Sequence, residues 1–427
     1  MKIFGQHDEQ TLIQLEDVAS RATRTALMAD GHVGYVMPIG GVAAYRDQVS
    51  VIGVGFDIAC GNAAIRTDLT TERLMDVGRE ELDANPHRVA ESPALIQLAD
   101  AVFDELSFGI GGKNLSADAP VDDPLFHDEA WWAVPNIGGF RDELIAKARR
   151  QLGTIGSGNH YVDIFADEEG RIWVGVHFGS RGFGHTIASN FLSLSQGGAW
   201  GERAPEKEVL LDIREGIGAD YWALMKLAGR YAYAGRAWVA RKVVRLMGGQ
   251  EEDLVHNHHN FAWSEEHDGE QVVVVRKGAT PAWPGQRGFV GGSMGDDAVI
   301  LRGAEADAGV SDTQAEALFS TVHGAGRVMG RTAAKGKWRK GRQVKRGRIS
   351  QEMMDEWLAR KGVVLRGGDL DEAPQAYRRL PDVLAAQGAT VEVLHTLRPL
   401  VVCMAPRATG GPFNDRSRRR RGKGQRS

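Results

Sequence analysis

The stretch "RIWVGVHFGSRGFGH" (171–185) alternates apolar side chains through Phe178 and then breaks into glycines. Alternation of period two reads as a strand, here ending at His177 and running into a Gly-rich loop. The same reading extends outward. "EQVVVVRKG" (270–278) and "DDAVILRG" (296–303) are further strands, and strand character returns near 391–403. Residues 33–65 are rich in Gly and Val and predict strands joined by tight turns. Helical spacing predicts helices over 11–28, 71–108, 140–152, 313–319 and 351–361. Residues 203–248 read as two helices broken near Gly216 and Gly218. Strands and helices mix without regular βαβ alternation, so the expected class is α+β, mixed sheets flanked by helices.

The bulk properties bound the function. The chain has 427 residues, 42% hydrophobic and 25% charged, the composition of a soluble globular protein. That length predicts a large core and two or three domains. Two cysteines cannot build a disulfide framework, which points to a reducing compartment and a cytoplasmic protein. The start "MKIFGQHDEQ" has no apolar h-region, and no run of 18 apolar residues occurs, so neither a signal peptide nor a membrane span is expected. The charge is uneven. "KGKWRKGRQVKRGR" (335–348) holds eight basic residues and "RSRRRRGKGQRS" (416–427) holds seven, with no acids in either. Of 52 Lys and Arg, the remaining 37 face 56 Asp and Glu. Cationic segments on an acidic body predict a polyanion partner bound with little sequence preference. After Pro406 the apolar pattern stops, and a basic, disordered tail over 411–427 is expected.

Several histidines stand beside glycines. "GTIGSGNHYVDI" (153–164) ends a Gly-rich turn at Asn159-His160, and "VHNHHNF" (255–261) offers His256, His258 and His259. "STVHGAGRVMGR" (320–331) sets His323 before a Gly-Ala-Gly-Arg loop. Glycines let a backbone approach a ligand or metal closely. "GVGFDIACG" (53–61) places Asp57 three residues before Cys60, a hard oxygen and a soft thiolate that one turn can aim at one point. With His160, His177 and His259 they suffice for a two-metal site of the kind used in phosphoryl chemistry. Ligand softness alone favours zinc or iron, and manganese only through the carboxylate. No GxxxxGK[ST] loop occurs, so a nucleotide would need other loops. "GGSMG" (291–295) and "HGAG" (323–326) can present backbone N–H groups as phosphate nests. His323, beside such a nest, can act as a nucleophile on phosphorus.

With these stretches on the page, the chain resembles the RtcB family of RNA ligases. "MADGHVGYVMPIGGV" (28–42), "HHNFAWSEEH" (258–267), "RKGAT" (276–280) and "DEAPQAY" (371–377) join the motifs above in the family's order. The resemblance spans nearly the whole chain and implies one catalytic domain over 1–410. It implies a GTP-dependent ligase holding two Mn²⁺ ions, which joins an RNA 3′-phosphate or 2′,3′-cyclic phosphate end to a 5′-hydroxyl end. Mapped by motif, Asp57, Cys60, His160, His177 and His259 would hold the metals, with Cys60 bridging, and His323 would take GMP from GTP. The GMP pocket would comprise Asn159, His160, Tyr161, Asp163 and Asn260. It would be completed by Gly291, Gly292, Ser293 and Met294, by His323, Gly324, Ala325 and Gly326, and by Tyr377. Asp163 would accept from the guanine edge, Tyr377 would stack on the base or hold the ribose, and Arg181 and Arg327 would fork onto phosphates. The resemblance further implies a monomer, and for some relatives an archease-type accessory protein.

The family pattern is not followed everywhere. It ends with a lysine near the guanylate, where "LRPLVVCMAPRATGG" (397–411) has Met404 or Ala405. Phe178 replaces a small polar residue, Gly291 replaces a proline, and "GDDA" (295–298) sets two acids beside a phosphate loop. A second class therefore stays open: a metal-containing RNA-binding or RNA-end-processing paralogue that does not ligate.

Overall fold

In the computed structural model the described residues are 1–305, 308–339 and 342–407; the expected tail over 411–427 lies outside them. The fold is α+β, built on two main sheets. One has five strands in the order Lys2–Ile3, Arg24–His32, Ile39–Tyr45, Glu270–Lys277 and Asn260–His267. The larger runs Arg287–Val290, Ala298–Gly303, Val391–Pro406, Tyr161–Ala166, Arg171–Phe178, Gly61–Thr70 and Glu251–His258. Val364–Gly368 adds to it in parallel with Val391–Pro406. The helix Gly216–Leu246 packs across the Gly61–Thr70 and Arg171–Phe178 strands and buries Tyr221, Tyr231, Val239 and Val243. No helix among the described residues is long and apolar enough to cross a membrane.

Most expected elements are present, and three differ. Only Glu9–Ala19 of the expected 11–28 helix is helical, capped by Asp8, whose carboxylate accepts from the Thr11 amide at 2.9 Å. Arg24–His32 is instead a strand with both faces buried. A strand covered on both sides shows an apolar run without alternation, which periodicity cannot separate from helix. The second difference is at 203–248. Residues 216–246 form one helix, and Gly216 and Gly218 begin it rather than break it. A Cβ on Gly218 would lie 1.9 Å from the Asp212 carbonyl oxygen, so glycine lets the helix start press against the preceding strand. The expected helix over 71–108 is four shorter ones, Thr71–Met75, Arg79–Ala84, Pro86–Ala90 and Pro93–Glu105.

The topology places histidines. The strands Tyr161–Ala166, Arg171–Phe178, Gly61–Thr70 and Glu251–His258 pair antiparallel in turn, so the starts of two and the ends of two others meet along one margin. Cys60 immediately precedes Gly61–Thr70, and His160 immediately precedes Tyr161–Ala166. His177 is the penultimate residue of Arg171–Phe178, opposite both Asn62 and Tyr161. His259 is the single residue between Glu251–His258 in the larger sheet and Asn260–His267 in the smaller one.

Candidate metal centre and nucleotide cavity

The five expected metal donors converge where the sheets meet. Cys60 Sγ lies 3.7 Å from His160 Nε2 and 3.7 Å from His177 Nε2. Asp57 Oδ2 is 3.0 Å from His160 Nε2. The rings of His177 and His259 stack with centroids 5.2 Å apart. The ligand atoms of Cys60, His160 and His177 lie within 4.8 Å of one another. The His160 and His259 Nδ1 atoms are buried with no hydrogen-bond partner. Thiolate, carboxylate and imidazole donors of this number, some with unpartnered nitrogens, fit a bound transition-metal ion.

The electrostatics suit a cation. Burial and then the field of Asp57 push the Cys60 thiol well above its usual range. Burial, followed by neighbouring imidazoles, holds His177 and His259 well below theirs, so both are neutral and free to ligate. Burial alone would raise the Asp57 carboxyl, but the contacts with His160 outweigh it and hold it low. Asn62 fixes one tautomer. Its Nδ2 donates to the Phe289 carbonyl at 2.8 Å, so its Oδ1 accepts from His177 Nδ1 at 2.7 Å and leaves Nε2 toward Cys60.

His323 faces the same space. Its ring sits 4.9 Å from that of His259, and its Nδ1 lies 2.6 Å from Oδ2 of Asp30, a fully buried residue. The same oxygen accepts from the His323 amide at 3.0 Å and the Gly324 amide at 3.3 Å. Asp30 thereby holds the loop through these amides and sets a carboxylate beside the ring.

A cavity of about 310 Å³ joins these groups. Its wall includes all five donors, His323, and the expected pocket residues Asn159, Tyr161, Asp163 and Asn260. Gly291, Gly292, Ser293 and Met294 line it, as do Gly324, Ala325, Gly326, Arg327 and Tyr377. Gly291 and Gly324 pair across the two glycine loops. A Cβ on Gly291 would stand 2.5 Å from the Tyr161 hydroxyl, so the glycine lets this loop lie against Tyr161. Asn260 Oδ1 accepts from the Gly278 amide at 2.7 Å. Tyr161 Oη and Asp163 Oδ1 are buried and unpartnered. Burial pushes the Asp163 carboxyl well above its usual range. A carboxyl raised in this way gives up stability as pH rises from its ordinary value through the raised one. Asp163→Asn is therefore expected to raise the melting temperature of the ligand-free protein at pH 7, with no gain below about pH 3.8. Paired melting curves at pH 7 and below about pH 3.8 check the sign.

Arg181 is not on the cavity wall. It lies behind it, with Nε donating to Thr154 Oγ1 at 3.1 Å and a backbone φ of 58°. Arg327 is on the wall, but its fork is occupied: it donates to Glu372 at 3.1 Å, the Tyr377 hydroxyl at 2.9 Å and the Asp371 carbonyl at 2.6 Å. The Tyr377 hydroxyl in turn donates to Glu372. Met404, one of the two residues considered for the family's lysine position, lies on the wall, opposite Tyr161 in the sheet register. The Asp296 charge is met by Arg379 at 2.5 Å and by Ser293 at 2.5 Å, so that acid does not face the phosphate loop unpaired. Phe178 is buried in the core behind the larger sheet. Sequence reasoning missed Asp30, Asn62 and His32, which also line or support the cavity; Asp-Gly-His at 30–32 was the only local signal for two of them.

The family model described as tRNA-splicing ligase RtcB matches residues 12–405. A tRNA-splicing ligase RtcB from Archaeoglobus fulgidus is 33% identical, covering 88% of this chain and 86% of that protein. An RNA-splicing ligase RtcB from Escherichia coli is 31% identical, covering 89% of each chain. A Thermococcus kodakarensis tRNA-splicing ligase RtcB is 31% identical over 88% of this chain. A match of this extent, on a chain whose thiol, carboxylate and imidazoles meet at one margin of two sheets, means that the protein belongs to the RtcB family of RNA ligases.

Proposed function

We propose that this protein is a GTP- and Mn²⁺-dependent ligase that joins RNA 3′-phosphate or 2′,3′-cyclic phosphate ends to 5′-hydroxyl ends through a histidine–GMP intermediate. The observation that carries this reading is one cavity wall shared by the metal-donor cluster and His323, with the buried Asp30 carboxylate beside its ring. Asp57, Cys60, His160, His177 and His259 would hold two Mn²⁺ ions, which when bound supply Lewis acidity to phosphoryl oxygens. Asp163 and Tyr161 offer their unpartnered oxygens to the base. His323 Nε2 attacks the α-phosphorus of GTP; an N–P bond forms, the α–β bridge breaks and pyrophosphate leaves. The loop amides of 323–326 lie where developing charge on phosphate needs donors. An oxygen of the RNA 3′-phosphate then displaces His323 from phosphorus, and the 5′-hydroxyl attacks the activated phosphate with release of GMP. A cyclic phosphate is first opened by water. The basic segments over 335–348 and 416–427 would hold RNA phosphates, and the reaction would take place in the cytoplasm.

Met404 favours a second reading. The cavity wall has a thioether where an ammonium would meet the guanylate, and Arg331, also on the wall, is paired with Glu372 at 2.5 Å. A protein that opens cyclic phosphates or holds RNA ends without joining them fits that difference. One assay separates the readings: RNA bearing a 2′,3′-cyclic phosphate and a 5′-hydroxyl, with Mn²⁺, with and without GTP. Joined product that requires GTP supports ligation. Cyclic-phosphate opening without GTP and without joining supports end processing, and retention of unchanged RNA supports binding alone.

A further inference from the structure

Arg236 stands in the middle of the helix Gly216–Leu246 and is fully buried. Its guanidinium meets four neutral acceptors. Nη1 donates to the Ala59 carbonyl at 2.9 Å and to the Phe178 carbonyl at 2.6 Å. Nη2 donates to His258 Nδ1 at 2.8 Å, and Nε donates to His256 Nε2 at 2.8 Å. Among the described residues no carboxylate pairs with it, although a buried cation ordinarily has an anionic partner. The acceptors are not scattered. Ala59 precedes Cys60, Phe178 follows His177, and His258 precedes His259. One planar fork thus ties down the neighbours of three metal donors that lie in or beside the ends of three separate strands.

The Ala59 contact matters most. Ala59 has φ 60°, a left-handed conformation that costs a residue with a Cβ, and it sits inside the turn that aims Asp57 and Cys60 together. Such a conformation persists where its surroundings over-determine it. Here its amide donates to the Asn260 carbonyl at 2.7 Å and its own carbonyl is held by Arg236.

We propose that Arg236 is the positioning residue of the metal centre, setting the placement of Cys60, His177 and His259 relative to one another. The inference rests on the reading of those residues as metal donors. Lysine cannot replace it, because a tetrahedral ammonium does not reproduce a planar fork serving acceptors on three strands.

Co²⁺ tests this without reference to catalysis, since its thiolate charge-transfer and d–d bands report coordination. Arg236→Lys and Arg236→Ala are titrated with Co²⁺ beside the wild type, with circular dichroism as the control for folding. Both are expected to fold and to bind Co²⁺ about 10- to 100-fold more weakly, with altered bands. Millimolar guanidinium, but not urea, should restore the spectrum of Arg236→Ala. Folded variants that titrate with wild-type affinity and bands overturn the proposal and make Arg236 a packing residue only. If neither variant folds, His258→Gln, which keeps an acceptor for Arg236, is compared with His258→Leu, which does not. Loss of affinity in Leu alone supports positioning, and equal affinity in both overturns it. A wild type that takes up no Co²⁺ overturns the metal-centre reading itself, and this proposal with it.

Discussion

His323→Ala is expected to abolish formation of the protein–GMP adduct. With Mn²⁺ and GTP labelled at the α-phosphate, the wild type should carry label that survives SDS and alkali and is released by acid, as a phosphoramidate is. Loss of a nucleophile that acts as one unit with its partners costs on the order of 10⁴–10⁶ in rate. Asp30→Asn should leave the adduct possible but slow. Asp30 holds Nδ1 of His323 at 2.6 Å, and an amide there can present its NH₂ and select the wrong tautomer. For a carboxylate orienting a histidine that change costs up to roughly 10⁴. The two variants make a graded pair, with the alanine blank and the asparagine faint. Label of wild-type intensity on His323→Ala would remove this histidine from the reaction.

Cys60→Ser should empty the metal centre and with it all phosphoryl chemistry. The thiol is buried at 5% exposure and lies within 3.7 Å of two imidazole nitrogens, where a serine oxygen is both shorter and far less acidic. Metal content after dialysis should fall from the two ions per chain expected of the wild type to none, and cyclic-phosphate opening should vanish along with joining. The same chemistry sets the pH dependence in the wild type. The Cys60 thiol titrates above its usual range and must lose its proton to ligate, so metal affinity should rise with pH and fall as the solution is acidified. Circular dichroism keeps a folding defect from being mistaken for loss of metal. A fully metallated, active Cys60→Ser protein would end the bridging role assigned to the sulfur.

The parts of the site that were legible in the sequence are those whose chemistry is local. Asp57 and Cys60 share one turn, His160 and His323 end glycine loops, and His177 ends an alternating strand; each of these is visible in a dozen residues. The sheet topology then brings them together, because antiparallel neighbours begin and end on the same margin. The supporting groups carry no such mark. Asp30 is an acid inside an unbroken buried strand, the segment whose missing alternation also made it read as helix. Arg236 is one of several cations on a long helix, and only the packed helix shows that it points inward while Arg230 and Arg241 pair at the surface. The free fork expected of Arg327 was misjudged for the same reason, since its partners Glu372 and Tyr377 lie about fifty residues on.

The strand Val391–Pro406 lies in the interior of the larger sheet, between Tyr161–Ala166 and Ala298–Gly303, although it comes after both in the chain. During synthesis the strands that carry the metal donors therefore emerge long before the strand that ties them to the glycine loop at 291–295. Until residue 391 has left the ribosome, the two halves of the larger sheet lack the strand that would pair with both, and meet through side chains such as Asn62 and Asn257, which bond the Phe289 backbone. A chain stopped short of that point has no backbone ladder joining the half-sheet of the thiol and imidazoles to the half-sheet beside the 291–295 loop. The last strand to emerge is thus the one that closes the cavity, so a chain terminated before residue 391 is expected to lack an assembled site.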